Sequence, residues 1–319
     1  MKASAVAHPI QGLIKYHGLR DRRLRLPYHD SISVCTAPLL THTTVEFGHR
    51  VDSVWFGDRP ASMEEMRRIL EVVDALGEEA GGRSGMRMRT LNNFPSNIGL
   101  GASASGFAAL AVAAAKALGL ELSLEELSRF ARRGAGSAAR AVTGGFSRWY
   151  AGEGDADSIS RRLPHPDGID MAIVCALVPM VKTTDLIHPD VLSSPFFKAR
   201  LEYLPSALEG MESAIRKGDV DEIGRLAEMD TLVLHGITMT GADETILWRP
   251  DTLRVILEVK SLRKDGVQCH FSIDTGATVY INCRRADVTS IRERMSALGI
   301  ETLECSVGGP ASITDVHLF

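Results

Sequence analysis

The chain has 319 residues, enough for two packed domains or one large one. Hydrophobic residues make up 45% and charged residues 24%, an ordinary balance for a soluble globular protein, and a net charge of −4 argues against a general nucleic-acid or anionic-membrane binder. Five scattered cysteines with no C-x-x-C pair predict reduced, mostly buried thiols in a cytoplasmic protein. Residues 1–9 lack the apolar core of a signal peptide, and the longest apolar run, 107–118, is too short and too alanine-rich to span a bilayer.

Residues 3–17 alternate around Pro9 and Gly12, predicting a strand, a turn and a second strand-like piece ending at Gly18. Asp21-Arg22-Arg23 reads as a turn, and apolar Leu24, Leu26, Ile32 and Val34 predict extended structure over 24–34. β-Branching makes 41–47 a strand, and 53–56 another that turns at Gly57-Asp58. Residues 63–76 have helical spacing with Glu64 and Glu65 in the first turn. A short strand at 86–91 enters a glycine-containing loop, and the helix beyond it ends at Gly119. Ser123-Leu124-Glu125-Glu126 is a capping box that opens a helix over 124–133.

Residues 134–140 form a second small-residue turn, followed by a short helix to Val142 and a turn at Gly144-Gly145 into another strand. Residues 171–178 read as a strand buried on both faces, and the segment from there to residue 190 as a hinge. Helices are predicted over 195–215, 220–236, 251–263 and 288–298. Strands at 268–273 and 278–282 flank Asp274-Thr275-Gly276-Ala277. The order predicts an α+β protein in two halves, 1–180 and 181–319.

The loop before the long alanine-rich helix, Asn92-Asn93-Phe94-Pro95-Ser96-Asn97-Ile98-Gly99-Leu100-Gly101-Ala102-Ser103-Ala104-Ser105-Gly106, concentrates small residues where a loop becomes a helix. Glycines let backbone N–H groups approach an anion, and the helix start adds partial positive charge. Ser103 and Ser105 offer hydroxyls to phosphate oxygens or a metal ion, or else serve as ordinary caps. The spacing matches neither the P-loop nor the dinucleotide fingerprint. Asp274, between an apolar strand and a Thr-Gly turn, is either a carboxylate facing a cleft or an Asx-turn residue. Arg140 follows a glycine-serine turn and suits a carboxylate or phosphate, with a surface arginine as the alternative. Arg132 and Arg133 are expected on a solvated helix end. Lys15, among Leu13, Ile14 and Tyr16, is either buried against an anion or snorkels outward. The histidines show no ligand spacing that would mark a zinc site.

Taken in order, Ile14-Lys15-Tyr16-His17-Gly18, Leu26-Pro27, Asp30-Ser31-Ile32-Ser33-Val34, the Asn92-to-Leu110 block, Ala131-to-Arg140, Gly144-Gly145-Phe146 and Asp274-Thr275-Gly276 resemble the mevalonate diphosphate decarboxylases of the GHMP kinase superfamily over nearly the whole chain. The start, residues 7–12, looks like the archaeal and bacterial branch that includes phosphomevalonate decarboxylases. The resemblance implies a two-domain GHMP kinase-like fold with the active site in the cleft between the domains. It implies ATP and Mg²⁺ at the loop of Gly99, Gly101, Ala102, Ser103, Ser105 and Gly106, with Ser103 on the phosphates and the metal. Asp274 would engage the substrate's 3-hydroxyl, Arg140 its carboxylate, and Lys15 the phosphates and the aspartate. Tyr16, His17 and Ser137 would line the substrate. Relatives of this kind are often homodimers.

Three departures from the family pattern bear on substrate. The usual K-Y-W-G-K is Lys15-Tyr16-His17-Gly18-Leu19 here, so the second lysine that would contact a diphosphate is missing, although Arg20 or His17 could compensate. L-P-T-N becomes Leu26-Pro27-Tyr28-His29, and G-S-G-S becomes Gly134-Ala135-Gly136-Ser137. These changes point to ATP-dependent decarboxylation of mevalonate 5-phosphate to isopentenyl phosphate. Mevalonate 5-diphosphate decarboxylation and ATP-independent decarboxylation of mevalonate 3,5-bisphosphate are the neighbouring alternatives, and a non-catalytic GHMP-fold binding module is the remote one.

Overall fold

A computed structural model describes residues 1–96, 98–180 and 190–319. Strands β1 (Lys2–Ala7), β2 (Ile10–Ile14), β3 (Leu19–Asp21), β4 (Leu26–Pro27), β5 (Ser31–Ala37), β6 (Thr41–His49), β7 (Ser53–Phe56) and β8 (Arg59–Pro60) come first. Helix α1 (Met63–Glu79), strand β9 (Gly85–Asn92) and helices α2 (Ala102–Leu118), α3 (Leu124–Gly134) and α4 (Ala138–Thr143) follow. Next are β10 (Phe146–Trp149), β11 (Ser160–Arg162) and β12 (Ala172–Ala176), then α5 (Phe197–Lys217), α6 (Val220–Met239) and α7 (Pro250–Lys264). The chain closes with β13 (Cys269–Ser272), β14 (Val279–Cys283), α8 (Val288–Ala297), β15 (Thr302–Val307) and β16 (Ser312–Thr314). None of these helices is long and apolar enough to cross a membrane.

Two large sheets carry the architecture. One has the order β16-β1-β6-β9-β7-β8, and the other β11-β10-β5-β15-β12-β14-β13 with β2 paired to β5. The first sheet and helices α1 to α4 enclose one apolar core. Helix α2 lies in the middle of that core, which explains its alanine run: a helix apolar all round is a buried one, and small side chains allow close packing on every side. It ends at Gly119, whose φ of 79° closes the last turn in the left-handed region. The second sheet packs β12, β13 and β14 against α7 and α8 on one face. Its other face, with β2 and β5, packs on α5 and α6.

The helices and the main strands lie where the pattern places them, and α3 opens with the expected capping box between Ser123 and Glu126. The predicted continuous extension over 24–34 is instead two strands separated by a turn at Tyr28-His29. The tail holds two unpredicted strands that return to the start of the chain. β15 bonds between β5 and β12, while β16 bonds to β1 with Ser4 opposite Thr314. Strand β12 itself sits between β14 and β15, although a division at residue 180 assigns it to the first half. Most of the predicted hinge, residues 181–189, lies outside the described residues.

All five cysteines are buried and free, as expected of small apolar side chains. The topology brings several distant segments to one place. Strand β2 is buried along its whole length and ends at Ile14, so Lys15 leaves the sheet against α6, the end of β13 and the side of α5.

Candidate active site

The glycine loop and the Asp274 turn meet backbone to backbone. Gly99 has a φ of 90°, and a Cβ built on Gly276 would lie 3.1 Å from the Gly99 Cα. Two hydroxyls staple the loop in place: Thr278 Oγ1 donates to the Ile98 carbonyl at 2.5 Å, and Tyr280 Oη donates to the Gly99 carbonyl at 2.8 Å. Gly101, with φ 77°, occupies the cap position of α2 and makes no side-chain cap bond, so the first N–H groups of the helix are left for another acceptor. A Cβ on Gly101 would sit 3.0 Å from the Ile10 carbonyl, a second reason for glycine there.

Within the first turn the two serines part company. Ser103 is exposed at the helix start, whereas Ser105 is fully buried and its hydroxyl is shared with Thr41 Oγ1 at 2.6 Å and the Ala102 carbonyl at 3.3 Å. Helical geometry forces this split, since residues two apart face opposite sides. The Ser105 hydroxyl therefore braces the loop against β6, which corrects the expectation that it faces a phosphate. Ala102 and Gly106 lie half-buried on the same turn.

Asp274 sits just past β13 and accepts two hydrogen bonds from the Gly12 N–H, one to each carboxylate oxygen at 3.2 Å. Gly12 is 262 residues away, so this contact ties two distant segments of the chain together. Lys15 is 5% exposed, and its ammonium donates to Thr231 Oγ1 at 3.0 Å and Ser272 Oγ at 2.9 Å. The Asp230 carboxylate lies 3.9 Å from it. Burial, the largest influence, lowers the Lys15 pKa, while Asp230 and Asp274 pull it back up.

Arg140 is 2% exposed, so the surface alternative fails. Its Nη1 donates to Ser31 Oγ, and its guanidinium lies 5.5 Å from the Tyr16 ring centre and 5.7 Å from that of Trp149. Those two rings meet edge to face at 4.9 Å. Desolvation lowers the Arg140 pKa to about 10, opposed by Tyr16 and Asp274. The second small-residue turn now has its explanation: a Cβ on Gly136 would come within 2.8 Å of Tyr16 Oη and 2.9 Å of Trp149. Ser137 is half-buried at the start of α4, and His17 is fully buried beside Tyr16.

Two buried charges were not singled out from the sequence. Arg200 on α5 and Asp230 on α6 form an ion pair at 3.0 Å, both with side chains 0% exposed. Counting Lys15, Arg140 and Arg200 against Asp230 and Asp274 leaves one net positive charge in the cluster, which suits an anionic ligand. Arg132 also departs from expectation. It is fully buried, donating to the Leu24 carbonyl and pairing with Asp155 at 2.6 Å, because the end of α3 packs beneath the loop after β3. Arg133, on the rim, shares the same aspartate at 2.8 Å.

Two buried histidines near the cluster make its stability acid-sensitive. Desolvation lowers His29 to about 4 and His235 to about 3. Between their folded values and the unfolded value near 6.5, the unfolded chain binds protons that the folded one excludes, so stability is lost as pH falls through this window. Lowering the pH from about 6.5 to about 5 is expected to cost roughly 2 kcal/mol per histidine. Denaturant unfolding at the two pH values measures it, and His235→Asn should remove about half of the drop; an undiminished drop in that variant refutes the assignment.

The family described as diphosphomevalonate decarboxylase-like N-terminal domain matches residues 7–160. The chain is 46% identical to the phosphomevalonate decarboxylase of Haloferax volcanii over 99% of this chain and 98% of that one. It is 29% identical to the diphosphomevalonate decarboxylase of Ganoderma lucidum, over 92% and 80% of the two chains. Among solved structures, mevalonate diphosphate decarboxylase from Enterococcus faecalis superposes with a TM-score of 0.92 at 26% identity, covering 99% of both chains. The enzyme from Staphylococcus aureus gives 0.93 at 26% identity over 98% of both. A structure of MDDEF in complex with MVAPP, AMPPCP and magnesium gives 0.92, at 26% identity over 99% of both. With this fold and this identity across its length, the chain belongs to the family of phosphomevalonate and diphosphomevalonate decarboxylases, built on the GHMP kinase-type α+β fold.

Proposed function

We propose that the chain decarboxylates mevalonate 5-phosphate in an ATP-dependent reaction, giving isopentenyl phosphate, ADP, phosphate and CO₂. The observation that carries this reading is the convergence of Asp274, Lys15 and Arg140 around the end of β2, in a chain 46% identical to a phosphomevalonate decarboxylase. The monophosphate is favoured by what stands beside Tyr16. Leu19 replaces a lysine, and Arg20 is exposed with its guanidinium donating to the carbonyls of Ala151 and Gly152. The cation that could have met a second phosphate is thus engaged elsewhere.

In the first step the 3-hydroxyl oxygen attacks the γ-phosphorus and the bond to ADP breaks. Asp274 orients that hydroxyl and takes its proton as charge builds. Lys15 stabilises the negative charge gathering on the transferred group, and Arg140 holds the substrate carboxylate. In the second step the C3–O bond breaks with its electron pair leaving on phosphate. The bond from the neighbouring carbon to the carboxylate then supplies the electrons of the new double bond, and CO₂ departs. Arg140, dry and stacked among aromatic rings, orients the carboxylate so that the breaking bond aligns with the leaving phosphate.

The uncapped start of α2 and the left-handed glycines Gly99 and Gly101 suit the nucleotide phosphates, with Ala102, Ser103 and Gly106 on the same turn. Among the described residues no group of three His, Cys, Asp or Glu could hold a metal. By the family resemblance, Mg²⁺ would take Ser103 and phosphate oxygens as ligands, and it would neutralise charge on the transferring group. We infer a cytoplasmic homodimer from the resemblance to relatives and the reduced cysteines. Incubation with mevalonate 5-phosphate, mevalonate 5-diphosphate or mevalonate 3,5-bisphosphate, each with and without ATP, tests the reading. CO₂ and ADP should form together and fastest from the 5-phosphate with ATP. CO₂ from the bisphosphate alone, or preference for the diphosphate, would replace the reading with one of its neighbours.

A further inference from the structure

We propose that Arg200 and Asp230 are positioning residues that clamp the peptide of Lys15 from both ends and thereby fix where its ammonium meets the reacting phosphate. The proposal deepens the decarboxylase reading and rests on it for the role of Lys15. Asp230 Oδ2 accepts the Lys15 N–H at 2.9 Å, while Arg200 Nη2 donates to the Lys15 carbonyl at 2.6 Å. Arg200 and Asp230 meet each other at 3.0 Å, which closes a ring of three contacts through one residue's backbone. With both its N–H and its C=O held, Lys15 cannot turn about its own backbone dihedrals. Its side chain then runs to Thr231 Oγ1, the neighbour of Asp230 on α6, and to Ser272 Oγ at the end of β13. Among the described residues two of the three ammonium hydrogens are so engaged, which leaves one for a ligand.

As an ion pair, apart from their bonds to the Lys15 backbone, the two side chains have little to offer stability. Both side chains are 0% exposed, and Arg200 Nε and Nη1 have no hydrogen-bond partner among the described residues. A buried ion pair of this kind is commonly matched or exceeded in stability by apolar side chains of similar size. Placement of Lys15 is what the pair supplies and an apolar pair would not. The clamp also sets the field at the ammonium. Asp230 from α6 and Asp274 from the turn after β13 stabilise the charged form, while Arg200 from α5 and Arg140 from α4 oppose it, and neutral His235 packs on the same side.

Three variants test the clamp: Asp230→Asn, Arg200→Met and the double variant Asp230→Leu/Arg200→Met. The double variant removes both charges together, so it folds even where a single variant leaves one charge stranded. It leaves the buried Lys15 N–H and C=O without these partners, so it should melt below the parent yet stay folded at assay temperature, while kcat falls at least 50-fold and KM for the phosphorylated substrate stays within about threefold. Parent-like kcat in the folded double variant overturns the proposal. The second readout is the Lys15 ammonium, titrated by lysine-selective NMR without any turnover. Asp230→Asn should move its midpoint down and Arg200→Met should move it up. Shifts in the same direction, or none, overturn the clamp even if the substrate assignment stands. Opposite shifts in a protein that turns over none of the three substrates would keep the clamp and reject the decarboxylase reading.

Discussion

Asp274→Asn is expected to fold and melt like the parent and to lose turnover by about 10³-fold or more, the scale of a missing general base in a positioned site. The carboxylate holds both oxygens 3.2 Å from a single N–H, that of Gly12. An amide oxygen can keep one of those contacts, so the link between β2 and the turn after β13 survives. What it cannot keep is basicity. The substitution also removes one of the two carboxylates acting on Lys15, and the carboxylate acting on Arg140, raising the positive charge of the cluster just where a hydroxyl must lose its proton. Substrate binding should therefore persist or tighten while CO₂ release stops. Measuring CO₂ release, nucleotide binding and the melting transition on the same preparation separates these effects. Parent-like turnover would reduce Asp274 to a cross-strand tie and remove the mechanism with it.

Elements whose signal is local were legible in the sequence. The capping box at Ser123 and Glu126, the helix stop at Gly119 and the buried run of β12 each depend on residues within a few positions of one another. The glycine loop was legible for the same reason. Strand β16 was not: three residues carry no periodicity, and its partner is β1, some 300 residues earlier. The nature of a buried charge was hard to read as well. Arg132, Arg140 and Lys15 each allowed a surface reading until their partners came into view.

Arg200 and Asp230 did leave a trace. On α6 the buried positions Ile223, Ala227, Asp230, Leu234 and Ile237 recur at three- and four-residue steps, which sets a carboxylate on the apolar stripe. Arg200 precedes Leu204, Ala207, Leu208 and Met211 on the stripe of α5 in the same way. A charge in phase with a buried stripe signals a partner, although the sequence does not say which one. Ser105 shows the converse error. Hydroxyl chemistry suggested a ligand role, while the helical phase relative to Ser103 already placed it on the inner side.

Gly12→Ala should cost this chain far more activity than stability. Gly12 lies in β2 with an ordinary negative φ, so alanine suits its backbone and should by itself gain up to about 1 kcal/mol through the unfolded chain. The obstacle is steric. A Cβ there would stand 2.9 Å from Asp274 Oδ1 and 2.8 Å from Lys15 Cγ, closer than real contacts allow. The methyl must push aside the carboxylate, the lysine or both, and overpacking of this kind costs about 1–3 kcal/mol. The net loss of stability should be modest, and the loss of turnover should not be. A shift approaching 1 Å in a reacting group can cost about 10²-fold in rate, and here the two groups nearest the proton and the phosphate move together. Gly210→Ala, mid-helix in α5 with only an ordinary 3.6 Å contact to Leu226, is the control and should stabilise by about 0.5–1 kcal/mol with turnover unchanged. Equal activity in the two variants would mean that the crowding between Gly12, Lys15 and Asp274 plays no part in the chemistry.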